Sequence, residues 1–324
     1  MQPFPFFDGL IRAHNPHAHM ARFVFLLLFL LTSCRITNSD PDKVEIVTTD
    51  MENFWKAFDA AKPDFNPAVF DSLYLKKGTV GLDGFIDGRI KNSDNLSEVV
   101  REHKNYYNTI WRGTGDLTVM KKEIMDAMFK MKRLYPKAVF PSVYFIVGAM
   151  NSGATVSRHG LLIGTEMYGL MPETDRSELG DWHRSVVKSA SELPHIVAHE
   201  LVHYQQNYDG GSLLAASIKE GSADFIAELI SGDHINRHVH DFANPKEREL
   251  WEEFKGRMLQ DDYNGWLYSS TEGRPNDLGY WMGYQITKSY YNKMPDKQKA
   301  IDDIMNIEDF EAFLEASGYP NSGL

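Results

Sequence analysis

The sequence predicts an α+β fold, mostly helical, with a small sheet placed ahead of a central helix. Three observations predict it. Residues 140–148, F-P-S-V-Y-F-I-V-G, are rich in β-branched and aromatic side chains and read as a strand, and 154–163 contains a second. Met120, Ile124, Met125, Met128 and Met131 recur at helical spacing within 117–134, an apolar stripe suited to core packing. From about residue 190 onward the chain reads as one helix after another to its end.

The elements follow in chain order. Arg22 precedes a nine-residue apolar run, 23–31, too short to span a bilayer. Leu31-Thr32-Ser33-Cys34 then resembles the bacterial lipobox, which implies lipidation of Cys34, the only cysteine of the chain. Residues 1–33 are therefore expected to be a signal peptide. Residues 1–19 fit no signal design, which points to a true start at Met20. A plain signal peptide or short anchor with an incidental cysteine is the alternative. Residues 34–48, mostly polar, are expected to form the lipidated cysteine and a tether, with a single domain over 49–324 whose sheet-bearing half ends near 190. Residues 50–60 are helical, with Phe54, Trp55 and Phe58 on one face. Gly78, Gly81, Gly84 and Gly88 predict frequent bends. Met150-Asn151-Ser152-Gly153 suits a hairpin or a looser connection between the two strands. Residues 296–319 read as a pair of amphipathic helices.

Composition narrows the function. The net charge is -11 and no basic cluster is interleaved with the aromatic residues, so nucleic acid is not an expected partner. A lone cysteine at the signal junction suits an exported chain without disulfides.

The chemistry concentrates at His199-Glu200-Leu201-Val202-His203. Residues four apart share a helix face, so His199 and His203 can hold one metal ion, and H-E-x-x-H is the pattern of a zinc peptidase helix. Glu200 stands beside the metal position, where it can act as general base toward a water. Ser189 and Ser191 offer caps, and Pro194 suits a first turn. The bland alternative is a surface helix with two solvated histidines.

A catalytic zinc needs a third protein ligand and an open position. Residues 219–230 have helical apolar spacing at Ala223, Ile226, Ala227 and Ile230, with Glu220 at the start and Asp224 one turn later on the same face. Gly221, Ser222 and Ala223 are small enough to let two helices approach near a metal. The competing readings are a carboxylate at Glu220 that merely complements the helix dipole, Glu228 two turns on, and His195 as a cap or ligand. His234, His238 and His240 follow the stop signal Gly232 and are expected on a polar surface.

Two resemblances rest on these residues. His199–His203 followed by Glu220 and Asp224 resembles the gluzincin peptidases, the thermolysin-like clan. H-E-L-V-H with E-G-S-A-D at 220–224 is similar to bacterial proteins predicted to be zinc-dependent proteases, and the lipobox and layout are similar to the gliding-motility lipoproteins of the Bacteroidetes. The resemblance implies a zincin-like fold, Zn2+ held by His199, His203 and Glu220, orientation of His199 by Asp224, and hydrolysis of a peptide or protein substrate. It further implies an oxyanion-stabilising residue beyond the third ligand, for which Tyr280 and Tyr284 are the choices. It also implies a sheet strand that pairs with the substrate, for which 160–166 is the choice, with Glu166 either at the cleft or at a solvated strand end. The expected function is a zinc metallopeptidase anchored to a membrane of the bacterial cell envelope through Cys34. The alternative is a non-catalytic envelope or gliding-motility lipoprotein that uses the same fold as a scaffold or peptide-binding module.

Overall fold

The computed structural model describes residues 38–115, 118–269, 271 and 273–320. The expected signal peptide and Cys34 lie outside the described residues. The α+β class holds, with helices dominant. Among the described residues no helix is long and apolar enough to cross a membrane.

A four-stranded sheet is built from β1 (Ile46–Val47), β2 (Val143–Ile146), β3 (Ala154–Ser157) and β4 (Gly160–Gly164) in the order β1-β2-β4-β3. β1 and β4 run parallel to β2, and β3 runs antiparallel to β4. The helices ahead of the β2 strand are α1 (Thr49–Ala61), α2 (Pro67–Leu73), α3 (Val80–Phe85), α4 (Ser93–Glu102), α5 (Lys104–Gly115) and α6 (Thr118–Leu134). Those after the sheet are α7 (Asp181–Val186), α8 (Leu193–Gln205), α9 (Leu213–Ser231), α10 (Arg237–Ala243), α11 (Glu247–Lys255), α12 (Leu278–Lys293), α13 (Lys297–Met305) and α14 (Phe310–Ser317).

The apolar stripe of α6 is buried at Met120, Ile124, Met128 and Met131, as its spacing predicts. On α1, Phe54 and Phe58 are buried and pack with Phe70, Tyr74 and Tyr107 in one aromatic cluster. The buried tyrosines keep their hydroxyls satisfied. Tyr74 donates to the Val147 carbonyl (2.7 Å) and Tyr107 to that of Gly148 (2.9 Å), which pins these helices to the end of β2.

Residues 38–47 are not tether: the Phe140 N–H donates to the Asn38 carbonyl, and the apolar pair Ile46 and Val47 completes one edge of the sheet. The run 154–163 is two strands, because the chain reverses at Arg158-His159. Gly160 there has φ +142°, and a Cβ on it would lie 2.2 Å from the Ser142 carbonyl. The hairpin is thus β3–β4, and residues 150–153 lead into it. The edge strands are β1 and β3 and not β4, which is paired on both sides with Leu161, Leu162 and Ile163 fully buried. Glu166 reaches neither cleft nor solvent. It is buried and accepts from the backbone N–H groups of Gly148 (2.7 Å) and Met150 (3.3 Å). Burial pushes its pKa up to about 7 against those bonds.

Helices α9 and α12 are in backbone contact. A Cβ on Gly221 would fall 2.1 Å from the Tyr284 nitrogen, and one on Gly283 would fall 1.7 Å from the Ser217 carbonyl oxygen. The small residues at 221–223 therefore serve partly to admit α12, through Gly221, and not only α8. Gly283→Ala is expected to lower unfolding free energy by about 1–3 kcal/mol or more, because neither backbone can yield without separating the helices. Chemical denaturation of the two proteins measures it, and an unchanged midpoint would show that the helices can part at no cost.

Candidate metal centre

Helix α8 presents His199 and His203 one turn apart on one face, and α9 crosses beside it. Pro194 occupies the first turn of α8, while the Ser189 hydroxyl caps the short 3-10 turn before it. Helix α9 begins earlier than its apolar spacing suggests. Ser212 caps it by accepting from the Ala215 N–H (3.2 Å), and buried Leu213, Leu214 and Ile218 extend it. Glu220 is thus in the middle of the helix, not at its start, and the dipole cannot account for a carboxylate there. It is 9% exposed.

The three side chains converge. His203 Nε2 lies 2.9 Å from His199 Nε2 and 3.1 Å from Glu220 Oε2, and His199 Nε2 lies 3.6 Å from the same oxygen. Among the described residues this is the one group of at least three potential ligands that meet this closely.

The surrounding hydrogen bonds set the tautomers. Asp224, fully buried, can only accept as a carboxylate, so His199 Nδ1–H donates to its Oδ1 (2.8 Å). Its other oxygen takes the Asn236 side-chain amide (2.7 Å). The Gln206 amide nitrogen donates to the Lys219 carbonyl (2.8 Å) and to Ser222 Oγ (2.9 Å), which turns its oxygen toward His203 Nδ1 (2.7 Å). Both imidazoles therefore spend their Nδ1 protons outward, and both Nε2 lone pairs face each other and a carboxylate oxygen. Three acceptors this close repel unless a cation or a proton sits among them. The same crowding acts on protons: burial works against charge on His199, but its bonds to Asp224 and Glu220 outweigh this and push its pKa up to about 10. Burial likewise opposes charge on Glu220, and His203 and His199 more than offset it, holding the pKa well below the usual range.

The donor set fits zinc. Two imidazole nitrogens and one carboxylate oxygen are a known catalytic set, and tetrahedral zinc with bonds of about 2.0–2.1 Å places its ligand atoms about 3.3 Å apart. The observed separations bracket that value. Glu200 follows His199 directly, and burial raises its pKa while His203 and His199 lower it.

Tyr280 stacks on the His199 ring, with centroids 6.1 Å apart and planes within 13°. The Tyr284 hydroxyl donates instead to Glu228, so it faces away from the ligand set and occupies the competing carboxylate as well. His195 Nδ1 meets Ser231 Oγ (2.8 Å), outside the site. His234 and His240 are buried with rings 4.2 Å apart, not on a polar surface, because the turn after Gly232 folds inward to bring Asn236 onto Asp224.

Sequence reasoning missed Asn236, Gln206 and Tyr268. The Tyr268 hydroxyl donates to Glu220 Oε1 (3.0 Å), the oxygen that the histidines leave free. Tyr268 and Asp277 both have left-handed backbones (φ +57° and +65°), and the Tyr268 N–H donates to Asp277 Oδ1 (2.8 Å). Two such residues together cost about 1–3 kcal/mol each, which the surrounding contacts must offset to hold the phenol in place. No spacing in the sequence marks Tyr268, because it sits in an irregular segment.

Comparisons with curated proteins and with solved structures give no match. The family model described as gliding motility protein GldB matches residues 32–321, nearly the whole chain and including Cys34. The chain belongs to the gliding motility protein GldB family.

Proposed function

We propose that this protein is a zinc-dependent metallopeptidase with a zincin-like fold, held on the bacterial cell envelope by a lipid on Cys34. One observation carries the reading. Two imidazoles, whose Nδ1–H groups are engaged by fixed partners, converge through Nε2 with a carboxylate oxygen on a buried point, next to Glu200.

When bound, zinc supplies Lewis acidity that lowers the pKa of water and polarises a carbonyl. His199, His203 and Glu220 would hold it, leaving one position open. Asp224 and Gln206 orient the two rings. Glu200 takes a proton from the attacking water and passes it to the departing amine. The free edge of β3 offers backbone groups to an extended peptide. Tyr268, the phenol that touches the ligand set, would turn its hydroxyl proton from Glu220 Oε1 to the developing oxyanion, a role for which Tyr284, bonded to Glu228, is less well placed, and Tyr280 backs the His199 ring. Tyr268→Phe is expected to lower kcat about 10²-fold with zinc content unchanged. Equal kcat in the two proteins would remove Tyr268 from that role.

The lipid anchor is supported by the lipobox and by the family match, which starts just before Cys34. The test of the whole reading is zinc content and peptide hydrolysis of residues 35–324. About one zinc per chain together with turnover supports it; a folded, zinc-supplemented protein without zinc sinks it. Zinc without turnover, and a stable partner in pull-downs, would favour the scaffold lipoprotein.

A further inference from the structure

A cavity of about 400 Å3 abuts the candidate centre. Three of its lining residues touch the ligand set or its support: Tyr268 bonds Glu220, Tyr280 stacks on His199 and Asn236 bonds Asp224. A fourth, Tyr168, is close enough to Glu200 for that carboxylate to raise its pKa, after the larger effect of burial. Asn151 and Gly153 open the cavity toward the start of β3, an edge strand. A peptide lying along β3 and crossing the centre would thus run into it.

Apolar and aromatic side chains, Met167, Trp182, Val186, Ile196 and Ile235 among them, make about half of the lining, and polar ones such as Asn151, Ser185 and Asn276 share the rest. Among them is one cation. Lys188 donates to the Ile235 carbonyl (3.0 Å), and no carboxylate among the described residues comes within 4.0 Å of it. An ammonium has three donors, so two are left for a ligand. Burial pulls the Lys188 pKa down, and Glu192, Asp224 and Asp277 at longer range pull it back. Glu192 lines a neighbouring hollow, which Lys188 also borders, and not this cavity. Asp277 does line it, but its Oδ1 is taken by the Tyr268 N–H, and burial raises its pKa. His238, also on the lining, is held toward its neutral form first by burial and then by Lys188.

We infer that this cavity receives the C-terminal end of a peptide, with Lys188 binding the terminal carboxylate and the apolar walls enclosing a bulky last side chain. The inference rests on the proposed peptidase reading and sharpens it to a C-terminal exopeptidase. Hydrolysis then breaks the amide bond ahead of the enclosed residue or residues, with water giving its hydroxyl to the acyl carbon and its proton to the amine. A carboxylate could also come from an acidic side chain. The volume and the apolar walls favour the chain end, since an aspartate or glutamate side chain would leave most of the cavity unfilled.

Binding to the Glu200→Gln variant loaded with zinc tests this without turnover. The probes are N-acetyl-Ala-Ala-Phe as free acid, the same peptide as amide, and N-acetyl-Ala-Ala-Glu amide. The expected result is about tenfold or tighter binding of the free acid over both amides, with the preference lost in Lys188→Met and kept in Lys188→Arg. Equal affinity for Phe acid and Phe amide, or no binding of any probe, overturns the proposal. Tight binding of the Glu amide overturns the chain-end assignment. Zinc is measured in each sample, so absence of metal marks failure of the peptidase reading, whereas zinc with no acid preference marks failure of the subsite alone.

Discussion

Glu200→Gln is expected to keep about one zinc per chain and to lower peptide hydrolysis by about 10²–10⁴-fold, the usual range for loss of a positioned general base. The substitution is nearly isosteric, and Glu200 is not one of the three converging ligands. The amide cannot accept a proton, so only the proton-transfer role is removed. Metal analysis and kcat measured on the same preparations separate the outcomes. Turnover at the wild-type rate would mean that another group takes the proton, and loss of zinc would mean that Glu200 supports the ligands.

The second large effect is on metal. His203→Ala and Glu220→Ala are each expected to abolish stoichiometric zinc, whereas Asp224→Ala and Gln206→Ala should weaken it by about 10–100-fold. The difference in rank follows from geometry. His203 Nε2 and Glu220 Oε2 face the metal position directly, while Asp224 and Gln206 act through the far nitrogens of the rings. A ligand that binds only the folded state stabilises it by about 4 kcal/mol at a thousand times its Kd. Chelation should therefore lower the unfolding midpoint of the wild type and leave His203→Ala unmoved. A chelator that shifts both equally, or neither, would detach the stability of the domain from this centre.

Local pattern and tertiary packing contributed different parts of this picture. The H-E-x-x-H turn needs only the 3.6-residue period of a helix, so the pairing of His199 with His203 was readable in the sequence. The α6 stripe and the stop at Gly232 were readable for the same reason, since each depends on neighbours within a few positions. The strand order was not. Residues 160–164 have the composition of any apolar strand, and whether they form an edge or a centre depends on β2 and β3 pairing on either side.

What the sequence alone determined is the set of side chains available: two histidines four residues apart, a glutamate beside one of them, and a carboxylate with an aspartate one turn on. What only the tertiary structure decided is which groups complete the centre and what adjoins it. Asn236 reaches Asp224 across 12 positions, and Tyr268 reaches Glu220 across 48. Lys188, in the segment ahead of α8, lines the neighbouring cavity. Such contacts carry no spacing, because the distance between two side chains on different elements is set by how the helices and sheet pack, and packing is a property of the whole core.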